Sequence, residues 1–236
     1  MKNKFNIITY AHEILEAIAP IHCCICSVNI QGDSIIHRIC DSCYMSFDPS
    51  PTSDILLNSL FRKGNKSTSL LHVDSLFEFQ HDGAIQIAIH EMKYGLGINM
   101  AFQFGRMLAL YRPKHDVDAI IPIPLHAARR RERGFNQACE IAKGFAHEHH
   151  LDVIDCLHRN HYTMSQTTLN IEERQSNVQA AFSFTIKENI INKRLLLIDD
   201  VFTTGATLEH CAEVLLEHGA RSVSALTIAS AQLKKG

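Results

Sequence analysis

The sequence predicts an α/β fold: a parallel sheet flanked by helices, preceded by a small cysteine-rich module. Three observations carry this. Short apolar runs of strand length alternate with helix-length segments between residues 73 and 229. One run, Leu195 to Ile198, leads directly into Asp199-Asp200 and a glycine-containing turn that opens a helix. Near the N-terminus stand two closely spaced Cys-x-x-Cys pairs. A chain of 236 residues suits one domain plus a small module.

The elements follow in order. Over residues 1–20, Ile7, Ile8, Ala11, Ile14, Leu15 and Ile18 fit one face of an amphipathic helix. The basic start resembles a leader, but His12, Glu13 and Glu16 interrupt any apolar stretch, which argues against a signal peptide. Residues 21–48 hold the cysteine pairs. Residues 49–70, with Pro49, Pro51, Gly64 and several Ser and Asn, read as a linker with a short helix over Ile55–Phe61. The main domain, residues 71–236, begins with a strand over Val73–Phe79. Helices follow over Gly83–Tyr94 and Met100–Tyr111, divided by Gly95-Leu96-Gly97. Ala119-Ile120-Ile121 is a strand and Phe135–His149 a helix. Arg194–Ile198 is the central strand, Thr207–His218 a helix ended by Gly219, and Val223–Ala229 the last strand.

Composition is that of an ordinary globular protein, 46% hydrophobic and 20% charged. The net charge of −2 argues against a globally basic nucleic-acid or membrane surface, so any polyanion site must be a local patch. No run is long enough to span a bilayer. The expected location is cytoplasmic, where eight cysteines argue against a disulfide scaffold.

Cys23-x-x-Cys26 and Cys40-x-x-Cys43 supply four thiolates, the ligand set of a tetrahedral Zn²⁺ ion in a zinc ribbon. Gly32 and Asp33 mark a turn between the knuckles. Cys24 is an alternative to Cys23, although the x-x spacing favours Cys23. A redox pair is the competing reading, and the βαβ context it needs is missing. A segment this short has little core, so metal binding would supply its folding free energy. Cys139, Cys156 and Cys211 stand alone in apolar patterns and read as core.

The stretch Asp199-Asp200-Val-Phe-Thr203-Thr204-Gly205-Ala206-Thr207 suits a sugar phosphate. Paired carboxylates accept hydrogen bonds from ribose hydroxyls, and N–H groups at a helix N-terminus hold a phosphate. An ordinary capped strand–turn–helix accounts for one acid but not for two acids, three threonines and a glycine. A second constellation follows the 119–121 strand. Pro122 and Pro124 stiffen its exit, and Arg129, Arg130, Arg131 and Arg133 follow as a basic loop. Guanidinium groups match phosphate oxygens, so this loop is a candidate pyrophosphate site; a solvated basic loop is the alternative.

The Asp199 stretch resembles the signature of the phosphoribosyltransferase superfamily, which binds 5-phosphoribosyl-1-pyrophosphate (PRPP). The string Ile121-Pro-Ile-Pro-Leu-His126, followed by Arg131-Glu-Arg-Gly-Phe-Asn-Gln137, resembles the ComF family, phosphoribosyltransferase-like proteins with an N-terminal zinc ribbon. His90 to Tyr94, Thr163-x-x-Gln166, Glu173-Arg174-x-x-Asn177-Val178 and Ala181-Phe182 match in the same order, so the likeness runs from about Ile21 to Ala229.

The resemblance implies a type I phosphoribosyltransferase fold. It implies that Asp199 and Asp200 hold the ribose in a catalytic position, that residues 203–207 hold the 5′-phosphate, and that Mg²⁺ accompanies PRPP. It implies a role for residues 159–182, where the polar stretch Arg159 to Asn177 is the candidate mobile lid with Arg174 as its cation; a surface helix carrying Glu172, Glu173 and Arg174 is the alternative. It also implies a hood built from the zinc module and its neighbouring helices. Lys93 lies at a family motif and could reach a phosphate; a solvated lysine is the alternative. The family is associated with natural transformation and, in one branch, gluconate utilisation. This implies single-stranded DNA and DNA-uptake proteins as partners. One reading is a phosphoribosyltransferase with an unidentified acceptor. The other is a non-catalytic strand-binding module in which Lys63 and Lys66 add to the arginines.

Overall fold

A computed structural model describes residues 20–30, 32, 34–61, 67–94, 97–111, 116–159, 182–185 and 189–232. The expected N-terminal helix, Lys63, Lys66 and the expected lid beyond Arg159, Arg174 included, lie outside the described residues. Helices α1 (Asp41–Met45) and α2 (Ser53–Phe61) precede strand β1 (Leu70–Phe79). Helices α3 (Ala84–Tyr94) and α4 (Ile98–Tyr111) lead to β2 (Ala119–Pro122). Then come α5 (Ala127–Arg133), α6 (Gln137–His149), β3 (Asp152–Val153), β4 (Leu157–Arg159) and β5 (Phe182–Phe184). The chain closes with β6 (Arg194–Phe202), α7 (Ala206–Glu217) and β7 (Ser222–Ala231).

Five strands form one parallel sheet in the order β1-β7-β6-β2-β3, while β4 and β5 pair antiparallel beside it. A strand covered on both faces reads as an unbroken apolar run, and β6 does so through Leu195–Ile198. Its side chains alternate between two cores. Leu196 and Ile198 pack with residues of α3, α4 and α6, including Met92, Phe104 and Phe145. Leu195 and Leu197 pack with α2 and α7, through Leu56, Leu60, Leu208 and Leu215. Each of these fully buried side chains contributes on the order of 1.5–3 kcal/mol through burial.

The cysteine module shares this interior: Ile36, Ile39 and Phe47 belong to the same core as Met92 and Phe104. In the 49–70 segment, α2 buries Leu56 and Leu60, and Ser50 N donates to Leu76 O at 3.0 Å. These contacts pack the segment onto the sheet.

Two expectations need correction. The arginine run is helix α5, not a loop. His126 Nδ1 accepts the Ala128 N–H at 3.1 Å as a cap, and Gly134, at φ 82°, ends the helix in the left-handed conformation. Alanine and arginine are good helix formers, so the run closes into a turn between these two signals. The central strand also does not stop at Ile198. It continues to Phe202 because β7 runs alongside, pairing Asp199 with Thr227 and Phe202 with Ser230.

Candidate functional site

The chain leaves β2 toward β3 in one direction and leaves β6 toward β7 in the other. The boundary between β2 and β6 is therefore the topological switch point, where parallel sheets open a crevice at the carboxyl ends of their strands. Pairing across it ends with Pro122 opposite Ile198 and a last bond from Ile123 N to Ile198 O at 2.9 Å. Pro122 and Pro124 have no N–H to offer β6. Residues 199–202 thus run on beyond the end of β2. A cavity of about 270 Å³ opens there, lined by Asp199, Asp200, Thr203, Gly205, Thr207 and Arg133 among others.

Each carboxylate uses one oxygen to hold the backbone. Asp199 Oδ1 accepts Asp200 N at 2.8 Å, and Asp200 Oδ1 accepts Val201 N at 3.0 Å. Asp200 is buried, and its Oδ2 lies 2.5 Å from Lys93 Nζ on α3. Among the described residues that oxygen has no hydrogen-bond donor of good geometry, so the lysine acts as a close counter-charge. Burial, reinforced by the neighbouring Asp200 charge, raises the Asp199 pKa well above the usual carboxylate range. The pair is a desolvated site of two carboxyl groups able to exchange hydrogen bonds with hydroxyl groups.

Beyond the carboxylates, the chain turns into α7. Gly205 stands at the N-cap with φ 77°, and a Cβ there would lie 2.2 Å from Leu60 Cδ2, so both conformation and space call for glycine. Thr204 Oγ1 accepts Ala206 N at 3.3 Å. Thr203, Gly205 and Thr207 line the cavity; Thr204 and Ala206 shape the turn without lining it.

Helix α5 forms the opposite wall and divides its arginines. Arg129 and Arg133 line the cavity. Arg133 donates to Gln137 Oε1 at 3.0 Å and to Tyr94 Oη at 3.2 Å, and it lies 5.0 Å above the Tyr94 ring. Its buried Nε has no acceptor among the described residues. Arg130 instead lines a neighbouring cavity of about 170 Å³ with Asp155 and His158. Arg131 is exposed and lines neither cavity.

Asn136, Gln137 and Arg159 also line the cavity; the sequence placed the first two only within the Phe-Asn-Gln string, and Arg159 at the start of the candidate lid. Asn136 Nδ2 donates to Ile123 O at 3.0 Å and its Oδ1 caps α6 through Ala138 N at 3.1 Å. This single side chain holds the β2 exit against the start of α6. The only sequence signal for it was its place in the Phe-Asn-Gln string.

The sulfurs of Cys23, Cys26, Cys40 and Cys43 all lie within 4.8 Å of one another, with Cys26 and Cys40 3.6 Å apart. Zn–S bonds of about 2.3 Å in a tetrahedron require a spacing of roughly 3.8 Å, so the donor set fits a four-thiolate metal site. Burial alone would raise the Cys23 thiol, but backbone donors including Cys40, Cys26 and Ile25 outweigh it and lower the pKa to about 6. Cys24 is outside the cluster and packs against the main core, and burial raises its pKa to about 11.

Fold and site define a protein of the phosphoribosyltransferase fold, and residues 132–235 match the phosphoribosyl transferase domain family. Competence protein F of Haemophilus influenzae is 32% identical over 118 residues, covering 48% of this chain and 51% of that protein. Competence protein ComFC of Bacillus subtilis is 37% identical over 125 residues, covering 50% and 46%. DNA utilization protein YhgH of Escherichia coli O157:H7 is 27% identical over 147 residues, covering 59% and 64%. The chain spans about half the length of the first two relatives. Over these stretches it is similar to proteins named for competence and DNA utilization. Among solved structures, glutamine PRPP amidotransferase from B. subtilis aligns with 58% of this chain and 30% of its own, at 21% identity and a TM-score of 0.42.

Proposed function

We propose that this protein binds PRPP, or a compound carrying its phosphoribosyl group, and works in DNA uptake. The carrying observation is the convergence of three groups on one switch-point cavity. The carboxylates Asp199 and Asp200, the turn of Thr203, Gly205 and Thr207, and the cations Arg129 and Arg133 all line it. The carboxylates accept from the ribose hydroxyls. Thr203, Gly205, Thr207 and the start of α7 hold the 5′-phosphate, with Thr204 and Ala206 shaping the turn. The arginines hold the pyrophosphate. Asp199 and Asp200 are also the residues available to hold Mg²⁺, which supplies charge neutralisation for the pyrophosphate. In a transfer, the acceptor's lone pair bonds to the anomeric carbon while the bond to pyrophosphate breaks. Pyrophosphate leaves with the electron pair, and Arg129 and Arg133 stabilise its charge. Calorimetry with PRPP and Mg²⁺ tests this: wild type binds, and Asp199→Ala/Asp200→Ala does not. Absence of heat in wild type overturns it.

Four thiolates at tetrahedral spacing support structural Zn²⁺ at Cys23, Cys26, Cys40 and Cys43. One zinc per chain by elemental analysis is expected, and none would refute the assignment. Free thiols and the DNA-uptake reading point to a cytoplasmic protein working with other DNA-uptake proteins.

A second reading rests on the division of α5. Arg131 is exposed and lines neither cavity, and Arg130 faces the neighbouring one. Both are available to a phosphate backbone, and relatives named for competence and DNA utilisation support a strand-binding module. Salt-sensitive binding of single-stranded DNA, weakened in Arg130→Ala/Arg131→Ala, is expected. Binding that ignores salt counts against it.

A further inference from the structure

Helix α3 connects the cysteine module to the cavity. Between Cys26 and Cys40 the chain makes a tight turn whose Ile36 and Ile39 are fully buried in the main core. From that turn, Arg38 Nη1 donates to Glu91 Oε1 at 2.5 Å, with both side chains about two-thirds or more covered. The same turn is held at two more points. Arg38 O accepts Cys24 N at 2.9 Å, and His37 N donates to Gln103 Oε1 on α4. Two residues beyond Glu91, Lys93 reaches Asp200; at the next position, Tyr94 receives Arg133. Ile85, Ala88, Ile89 and Met92 bury the rest of α3, so the helix moves as one body.

We propose that Lys93 is a binding residue of the cavity, positioned through α3 by the Arg38–Glu91 pair of the cysteine module. The proposal deepens the phosphoribosyl reading and rests on it. Two adjacent carboxylates facing a polyanion repel it unless a cation intervenes. Among the described residues, Lys93 is the cation paired directly with these carboxylates. Its ammonium sits 2.5 Å from Asp200 Oδ2 as a counter-charge and has donors to offer a pyrophosphate or ribose oxygen. A fixed ammonium is worth more than a mobile one because its ordering cost is met by the fold. Arg38 and Glu91 touch no cavity atom and act as positioning residues.

The test is a double-mutant cycle on the full chain, read as PRPP affinity in Mg²⁺. Lys93→Met is expected to weaken binding at least tenfold. Glu91→Gln, which changes no cysteine, is expected to weaken it several-fold, as is Arg38→Ala. Arg38→Lys keeps a cation facing Glu91 and recovers most of the loss. In the Lys93→Met background, Glu91→Gln adds no further loss, because its effect runs through Lys93. Additive losses, or unchanged affinity in Glu91→Gln, overturn the link. If wild type binds no PRPP, the phosphoribosyl reading falls, and the link is read in the ligand-free protein by hydrogen exchange at the amides of residues 200–202. Faster exchange in Glu91→Gln, absent from the Lys93→Met background, supports it. Unchanged exchange in Glu91→Gln overturns it.

Discussion

Gly105 on α4 and Gly144 on α6 face each other with no room for a side chain. A Cβ on Gly105 would lie 2.0 Å from Ile141 O, and one on Gly144 would lie 2.0 Å from Phe102 O. The two backbones therefore touch, and α6 is held close against the face of the sheet that carries Ile120 and Ile198. Because Asn136 caps α6 and also grips the β2 exit, this helix contact fixes one wall of the cavity. The obstruction is backbone, which cannot move aside as a flexible side chain can. Gly105→Ala and Gly144→Ala are each expected to destabilise by about 3 kcal/mol. Each should lower Tm by roughly 6–12 °C, as measured by thermal melting. A Tm within 2 °C of wild type would show that the helices can separate at little cost.

At the other end of the sheet, Asp118 and Arg194 join the starts of β2 and β6. Asp118 Oδ2 accepts Arg194 N at 2.8 Å and Nε at 3.1 Å, and Oδ1 accepts Nη2 at 2.8 Å. The side-chain and backbone hydrogen bonds from Arg194 lower the Asp118 pKa to about 2. A depressed acid stabilises the fold above its unfolded pKa and loses that contribution as pH falls toward its folded value. The window therefore lies between roughly pH 5 and pH 2. Both side chains are about one-third exposed, which limits the contribution to about 1 kcal/mol. Asp118→Asn should lose this amount at pH 7 and show a flatter acid limb in denaturant titrations. Identical acid limbs would assign the pair no role.

Much of the fold was legible because its signals are local. The 195–198 run, the acids, the threonines and Gly205 lie within 13 consecutive residues, 195–207, so one window holds both the strand and its chemistry. The elements not anticipated depend on distant partners. β4 and β5 are three residues each and exist through pairing with one another, Leu157 with Phe184 and Arg159 with Phe182. β6 outruns its apolar run because β7 continues to pair with it. Charge density made the arginine run look like a loop, although its caps, His126 and Gly134, were present in the sequence. In the cavity, Lys93 could not be assigned because its partner lies on another element far along the chain. The division of Arg129 and Arg133 from Arg131 follows the helical turn, which a loop reading could not supply.

The cysteine cluster carries a prediction about folding as well as metal content. Its turn places Ile36 and Ile39 in the main core, so loss of the metal site would be felt beyond the module. Cys40→Ser should lower both bound zinc and Tm. Cys24→Ser should leave zinc content at the wild-type level, because Cys24 is outside the cluster. Equal zinc loss in the two variants would move the ligand set.

Asp199 opposes stability to binding. Burial and the adjacent Asp200 raise its pKa, so the fold favours its protonated form. The sign is opposite to that of Asp118: stability is greatest at low pH and is lost as pH rises through the folded pKa. Asn in its place keeps an oxygen to accept Asp200 N while removing the charge. Asp199→Asn is therefore expected to raise Tm at neutral pH by a few degrees, about 2–4 °C for each kcal/mol relieved. In the phosphoribosyl reading, the same change puts an amide in place of the carboxyl group proposed to meet the ribose hydroxyls. PRPP affinity should fall at least tenfold, about 1.4 kcal/mol. Melting and calorimetry on one preparation separate the two effects. A variant that loses stability along with affinity would show that the Asp199 charge holds the fold together.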